Sequence, residues 1–221
     1  MAVIRTFGNP PDEAVLREAS RIITQSGVLA VPTESFYGLA AAVNDAVSIA
    51  RVKALKRQPE DKPLLVLIAD SAQLDALARF IPPAAAVLME AFWPGPLTLT
   101  FPIAPALPAL LGGRKGTLGV RQPGHVSLRV LLKHTGPMTG TSANRSGEPP
   151  AESATAVQSL FGEAIDLILD GGPTAGGLAS TVVDTVGSVR IIREGPISRR
   201  DIISALHRVG MNLENSDPDE Q

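Results

Sequence analysis

Short apolar runs alternate with segments of helical character along this chain, and that alternation restricts the fold more than any other feature. VLAVP (28–32) and PLLVLIA (63–69) have the length and apolar character of buried strands, and DLILD (166–170) reads as a strand. FWPGPLTLTFP (92–102) reads as a turn and an alternating strand, TLGVRQP (117–123) as a strand, and GPMTGTSAN (136–144) as a strand running into a loop. Helices are predicted over 12–25, 44–57, 71–80, 83–92, 125–134, 153–161 and 198–208, the second capped by Asn44 or Asp45. Interleaving of this kind predicts an α/β domain with a partly parallel sheet. STVVDTV (180–186) and SVRIIRE (188–194), joined at Gly187, predict a closing hairpin, which makes the sheet mixed.

The residues available exclude several chemistries. There is no cysteine, hence no disulfide, thiolate metal site or cysteine nucleophile. His125, His134 and His207 lack ligand spacing, so no protein metal site is expected. GxxxxGK[ST], GxGxxG and GxSxG are all missing. The N-terminus has no apolar h-region and no run approaches a membrane span, so a cytoplasmic protein without membrane contact is expected. Eight aromatic residues (six Phe, one Tyr, one Trp) are too few for a base-stacking RNA platform.

Charge divides the chain in two. Residues 212–221 hold four acids and no base, and read as an acidic, disordered tail. Removing those four from the 22 acids leaves 18 against 20 bases, a net of +2 over a domain at 1–211. Any basic site must therefore be local.

Such a site is suggested by LKRQPEDKPL (55–64), where Lys56, Arg57 and Lys62 surround two prolines as a helix gives way to a strand. Lys53, Lys56 and Arg57 share one helix face, and bases there also complement the helix dipole. In VPTESFYGLAA (31–41), Thr33, Glu34, Ser35 and Tyr37 crowd a turn; the loop offers hydroxyls and backbone N–H groups to a small polar ligand, or Thr33 or Ser35 simply caps the turn. In TSANRSGEPP (141–150), Ser142 and Asn144 alternate with Ala143 and form either a phosphate-cradling turn or an ordinary polar one. Arg121, Ser180, Thr181 and Arg193 lie in or beside apolar strands; an arginine at the end of a core strand requires an anionic partner.

PTESFYGL, LKRQPEDKPL, FWPGPLTLTF, LGVRQP, TSANRSG and STVVD…IIREGPI occur in this order over roughly 12–200, and together they resemble the YrdC family of threonylcarbamoyl-AMP synthases. The resemblance implies a single twisted, mixed α/β sheet with flanking helices around a basic concave groove. It implies formation of threonylcarbamoyl-adenylate and pyrophosphate from L-threonine, bicarbonate and ATP with Mg2+. A partner transferase would then modify tRNA, with tRNA contact possible at the groove. By resemblance, Lys56, Ser142 and Asn144 match catalytic positions around the phosphates, and Arg57 is expected to act with them as the catalytic arginine. Thr33, Tyr37, Lys62, Arg121 and Ser180 match the threonine side. Thr117, Pro150 and Arg193 join Lys56, Ser142 and Asn144 on the ATP side.

One departure stands out. The family pattern is Lys-x-Arg-Pro, whereas this chain has Lys56-Arg57-Gln58-Pro59. On a helix, one position is about 100° of rotation. The shift leaves open a nucleotide- or RNA-binding relative with weak or altered synthase activity. A carbamoyl-transfer module of the hydrogenase-maturation type is a third reading, disfavoured by the lack of cysteine.

Overall fold

The computed structural model describes residues 2–59, 61–112 and 116–214. In chain order its elements are β1 (Val3–Thr6), α1 (Glu13–Thr24), β2 (Leu29–Pro32), β3 (Tyr37–Ala40), α2 (Ala46–Lys56) and β4 (Val66–Leu67). There follow α3 (Pro83–Phe92), β5 (Leu97–Pro102), β6 (Thr117–Arg121), α4 (Val126–Thr135), β7 (Met138–Thr139) and β8 (Thr141–Ser142). The chain closes with α5 (Ala154–Phe161), β9 (Leu167–Asp170), β10 (Thr181–Asp184), β11 (Arg190–Arg193) and α6 (Arg199–His207).

These strands form two mixed sheets where the sequence predicts one: a five-stranded sheet in the order β1-β9-β2-β3-β8 and a six-stranded sheet in the order β11-β10-β5-β6-β4-β7. The division falls within residues 138–142. Met138 and Thr139 pair with β4, while Thr141 and Ser142 pair with β3. Gly140 sits between them because nothing larger fits: a Cβ there would lie 2.2 Å from Leu67 Cγ.

Alternation along the strands explains the layers. In the first sheet Leu29, Val31, Leu167 and Leu169 face α1 and α4, packing with Leu16, Ile22, Leu128 and Leu131. Ala30, Leu39 and Ile168 face the other way, toward Ile49 and Val52 of α2 and Val157 and Phe161 of α5. Both faces are covered, as the unbroken apolar runs require. The second sheet differs. Leu97, Leu99, Phe101, Leu118, Val120 and Val183 join the core shared with Leu88 of α3 and Ile202 and Leu206 of α6. The alternate positions Thr98, Thr100, Gly119, Arg121 and Asp184 therefore give this sheet a polar face.

Local chemistry sets the helix ends. Asp12, Asp45, Ser153 and Ser198 each accept a backbone N–H at a helix N-terminus, and Ser198 with Asp201 completes a capping box. The segment predicted helical at 71–80 is a 3-10 helix only over Ser71–Ala76, and the predicted strand 63–69 pairs only at Val66–Leu67. Among the described residues, no helix is long and apolar enough to cross a membrane. The start of the expected tail is described to residue 214: Leu213 packs on the core and the Glu214 N–H donates to Val189 O at 2.8 Å. Residues 215–221 lie outside the described residues.

Candidate functional site

Two polar clusters emerge. The first forms where α2 ends against the β8 loop. Lys56 is the last residue of α2, and its ammonium turns inward with 4% of the residue exposed. It donates to the carbonyls of Ser142 and Asn144 and to Asn144 Oδ1. Ser142 Oγ donates to the same Oδ1 at 2.7 Å, and Asn144 Nδ2 donates to Glu148 O. The Ser146 N–H closes the circuit onto Lys56 O at 2.8 Å. Burial, followed by the positive charge of Lys62, pushes the Lys56 ammonium down to about 8. Lys62 is exposed, yet its charge reaches the cluster.

The displaced arginine does not reach it. Arg57 caps α2 in the left-handed region (φ 51°), and its side chain is exposed. Gln58 is the buried residue, and its Nε2 donates to Lys62 O and Pro63 O at 3.1 and 3.3 Å, holding the following turn. The left-handed cap leaves Arg57 exposed at the end of α2.

The second cluster lies on the polar face of the second sheet. Arg121, 4% exposed at the end of β6, donates from Nε to Gly95 O at 3.0 Å. Its Nη2 is ion-paired with Glu34, on the turn after β2. Glu34 Oε1 also accepts the Gly124 N–H at 2.9 Å. Burial opposes ionisation of Glu34, but Arg121 and these hydrogen bonds outweigh it and hold the carboxyl below the usual range. Beside this pair, the Ser180 and Thr98 hydroxyls are 2.8 Å apart, and Arg193 donates to Ser180 O and Ser180 Oγ. Arg193 is lowered by burial and then by the charge of Arg121, so two guanidinium groups face one region.

The other expected residues are placed as follows. Thr33 realises the turn-capping reading: its Oγ1 donates to Phe36 O at 2.7 Å and accepts the N–H groups of Ser35 and Phe36. Tyr37 is fully buried, and its hydroxyl donates to Gly172 O at 2.8 Å, so the structure does not bring it to either cluster. Thr117 opens β6 on the same face as Gly119 and Arg121, and Pro150 is partly buried just before Ala151. Thr98 is a contributor not chosen from sequence, and Glu34 and Gln58 were named there without a role in the site. For Thr98 the signal was present, since LTLTFP alternates threonine with apolar residues.

A cavity of about 580 Å3 opens elsewhere, where the parallel strands of the first sheet end, lined in part by Phe7, Asn9, His125, Ser127 and Asp170. None of the expected site residues lines it. Among the described residues, no group of three or more His, Asp or Glu side chains is placed to hold a metal ion.

The arrangement is that of an α/β domain that gathers cations, hydroxyls and an amide at strand and helix ends. Within that class, the chain belongs to the Sua5/YciO/YrdC family, whose model, described as telomere recombination, matches residues 21–195. A threonylcarbamoyl-AMP synthase of Pyrococcus abyssi is 38% identical over 185 residues, covering 83% of this chain and 54% of that protein. The chain thus spans about half of that relative's length. A protein of the same name from Halorhodospira halophila is 36% identical over 157 residues, covering 71% of this chain and 82% of its own. The crystal structure of P. abyssi Sua5 complexed with L-threonine superposes with a TM-score of 0.84 at 34% identity, over 97% of this chain and 62% of that one.

Proposed function

We propose that this protein is an L-threonylcarbamoyladenylate synthase, a nucleotidyltransferase that joins L-threonine, bicarbonate and ATP. The observation that carries the reading is the buried Lys56 ammonium held between Ser142 and Asn144. That cluster suits the phosphates of ATP: a point charge, a hydroxyl and an amide on a loop with exposed backbone. The Arg121 and Ser180 cluster suits the carboxylate and hydroxyl of threonine. Lys62, Thr117, Pro150 and Arg193 complete the two sides of a basic groove, and Thr33 shapes the turn between them.

The chemistry needs no covalent enzyme intermediate. The threonine amine condenses with bicarbonate, releasing water and leaving a carbamate. A carbamate oxygen attacks the α-phosphorus of ATP, and the bond to the bridging oxygen breaks to release pyrophosphate. The protein's part is alignment and neutralisation of charge on the phosphates, for which Lys56 is the pivotal group. Magnesium enters with the triphosphate, bound by phosphate oxygens and water. The product is a mixed anhydride suited to a tRNA-modifying threonylcarbamoyl transferase in the cytoplasm, with tRNA contact at the groove.

The test is pyrophosphate release from ATP. It should require both L-threonine and bicarbonate, and release independent of either would refute the reading. A second reading, a relative with weak synthase activity that retains nucleotide or RNA binding, is favoured by one observation: Gln58 is buried where the family carries arginine, and Arg57 points outward. Salt-sensitive tRNA binding without pyrophosphate release would select it.

A further inference from the structure

The Glu34–Arg121 pair has an unfilled half. Glu34 Oε1 is anchored twice, by the Arg121 guanidinium and the Gly124 N–H, which fixes the carboxylate plane. Its other oxygen, Oε2, is buried and has no hydrogen-bond partner among the described residues. A buried carboxylate oxygen without a donor is costly, and a bound ligand is one means of supplying that donor. Arg121 also has capacity left: Nε–H is committed to Gly95 O, while Nη2, although ion-paired with Glu34 Oε1, is itself buried without a hydrogen-bond partner among the described residues.

A negative and a positive group held side by side in a sheltered corner complement a ligand that carries the opposite charges side by side. An α-amino acid is such a ligand, because a single carbon joins its ammonium and carboxylate. We propose that Glu34 is a specificity-determining residue that receives the ammonium group of the amino-acid substrate through Oε2 while Arg121 takes its carboxylate. This rests on the synthase reading for the identity of the amino acid. Glu34 then selects amino acids over hydroxy acids of the same shape and holds the ammonium beside the carboxylate clamp; the ammonium gives up one proton to solvent, and the free amine so formed meets bicarbonate. The short loop from Pro32 to Tyr37 suits this task, since Thr33 fixes it by accepting two of its N–H groups.

The opposite role is also physically available. Glu34 can instead be an internal competitor that a substrate carboxylate must displace from Arg121. The two roles give opposite results. Calorimetric binding of L-threonine and of 3-hydroxybutanoate, which lacks the ammonium group, separates them. Wild-type protein should bind L-threonine roughly 10- to 100-fold more tightly than 3-hydroxybutanoate, the range expected for one charge-assisted contact. Glu34→Gln should remove most of that preference by weakening L-threonine while leaving 3-hydroxybutanoate unchanged or tighter. Tighter L-threonine binding by Glu34→Gln, or equal weakening of both ligands, would overturn the proposal. If the variant does not fold, the wild-type comparison still decides: equal affinity for the two ligands overturns it. Failure of wild-type protein to bind either ligand would instead count against the synthase reading.

Discussion

The Lys56 ammonium donates to both oxygens of Asn144, the carbonyl at 3.0 Å and Oδ1 at 2.9 Å, so one side chain from α2 fixes both the backbone and the amide of the β8 loop. Removing it should cost more than a charge. Lys56→Ala is expected to lower the rate of pyrophosphate release by about 100-fold or more, the scale seen when a preorganised electrostatic group is deleted. Lys56→Ala supplied with saturating ATP should show the loss in kcat as well as KM; an effect confined to KM would make Lys56 a binding group alone.

The same residue links pH to stability and rate in opposite senses. Its ammonium lies at about 8 in the fold and at 10.5 ordinarily. Between those values the unfolded chain binds more protons than the folded one, so stability should rise as pH increases from about 8 to 10.5. Below about 8 both states are protonated, and the destabilising contribution is constant. The charge that assists phosphate binding is lost over the same interval, so kcat/KM should fall above pH 8 through a single ionisation. Denaturation midpoints and initial rates across this range check both signs, and Lys56→Arg should abolish the alkaline loss.

Arg57 and Gln58 should behave contrary to their chemical types. Arg57→Ala is expected to keep the rate within about threefold of wild type, as for an exposed side chain. Gln58→Ala breaks two hydrogen bonds that hold the turn before β4, and should cost about 1–2 kcal/mol in chemical denaturation. The double substitution Arg57→Gln with Gln58→Arg restores the family order, and should raise pyrophosphate release if the inward position is where a guanidinium acts.

Gly140→Ala tests the crossing between sheets. Its Cβ would overlap fully buried Leu67, so a loss of about 1–3 kcal/mol is expected from overpacking. Leu67→Ala in the same background should recover part of that loss despite being harmful alone, and a double-mutant cycle measures the coupling.

Thr98→Val leaves the strand intact but removes the hydroxyl that meets Ser180. Among the described residues, Ser180 then keeps Arg193 alone to orient its Oγ. KM for L-threonine should rise by about 3- to 10-fold, the worth of one neutral hydrogen bond, with kcat for saturated enzyme nearly unchanged.

Much of this was legible in the chain because it is local. Asp45 as a cap, the hairpin around Gly187 and the alternation in LTLTFP depend on neighbours within a few residues. Lys56, Ser142 and Asn144 were also recoverable, since their motifs fix them at element ends. What escaped depends on distant partners. Val3–Thr6 is a short, exposed edge strand whose partner strand among the described residues lies 164 positions away, so its pattern has nothing to declare. Tyr37–Ala40 looked like the remainder of a turn because Gly38 interrupts it, yet that glycine lets Thr141 O approach to 3.3 Å of where a Cβ would be. Glu34 stood in plain view in a quoted motif. Its partner, Arg121, is 87 positions on, and only the fold brings them together.

The pairing of β1 with β9 bears on how the molecule is made. Val3–Thr6 lies beside Leu167–Asp170, and β9 also separates β1 from β2. During synthesis Val3 must therefore wait for Leu167, 164 positions later, before its place in the sheet exists. In that interval the backbone of β2 that will pair with Leu167 and Ile168 has no mate on that side. Closing so long a loop is slow, and the nascent protein is most open to wrong partners just before residues 167–170 arrive.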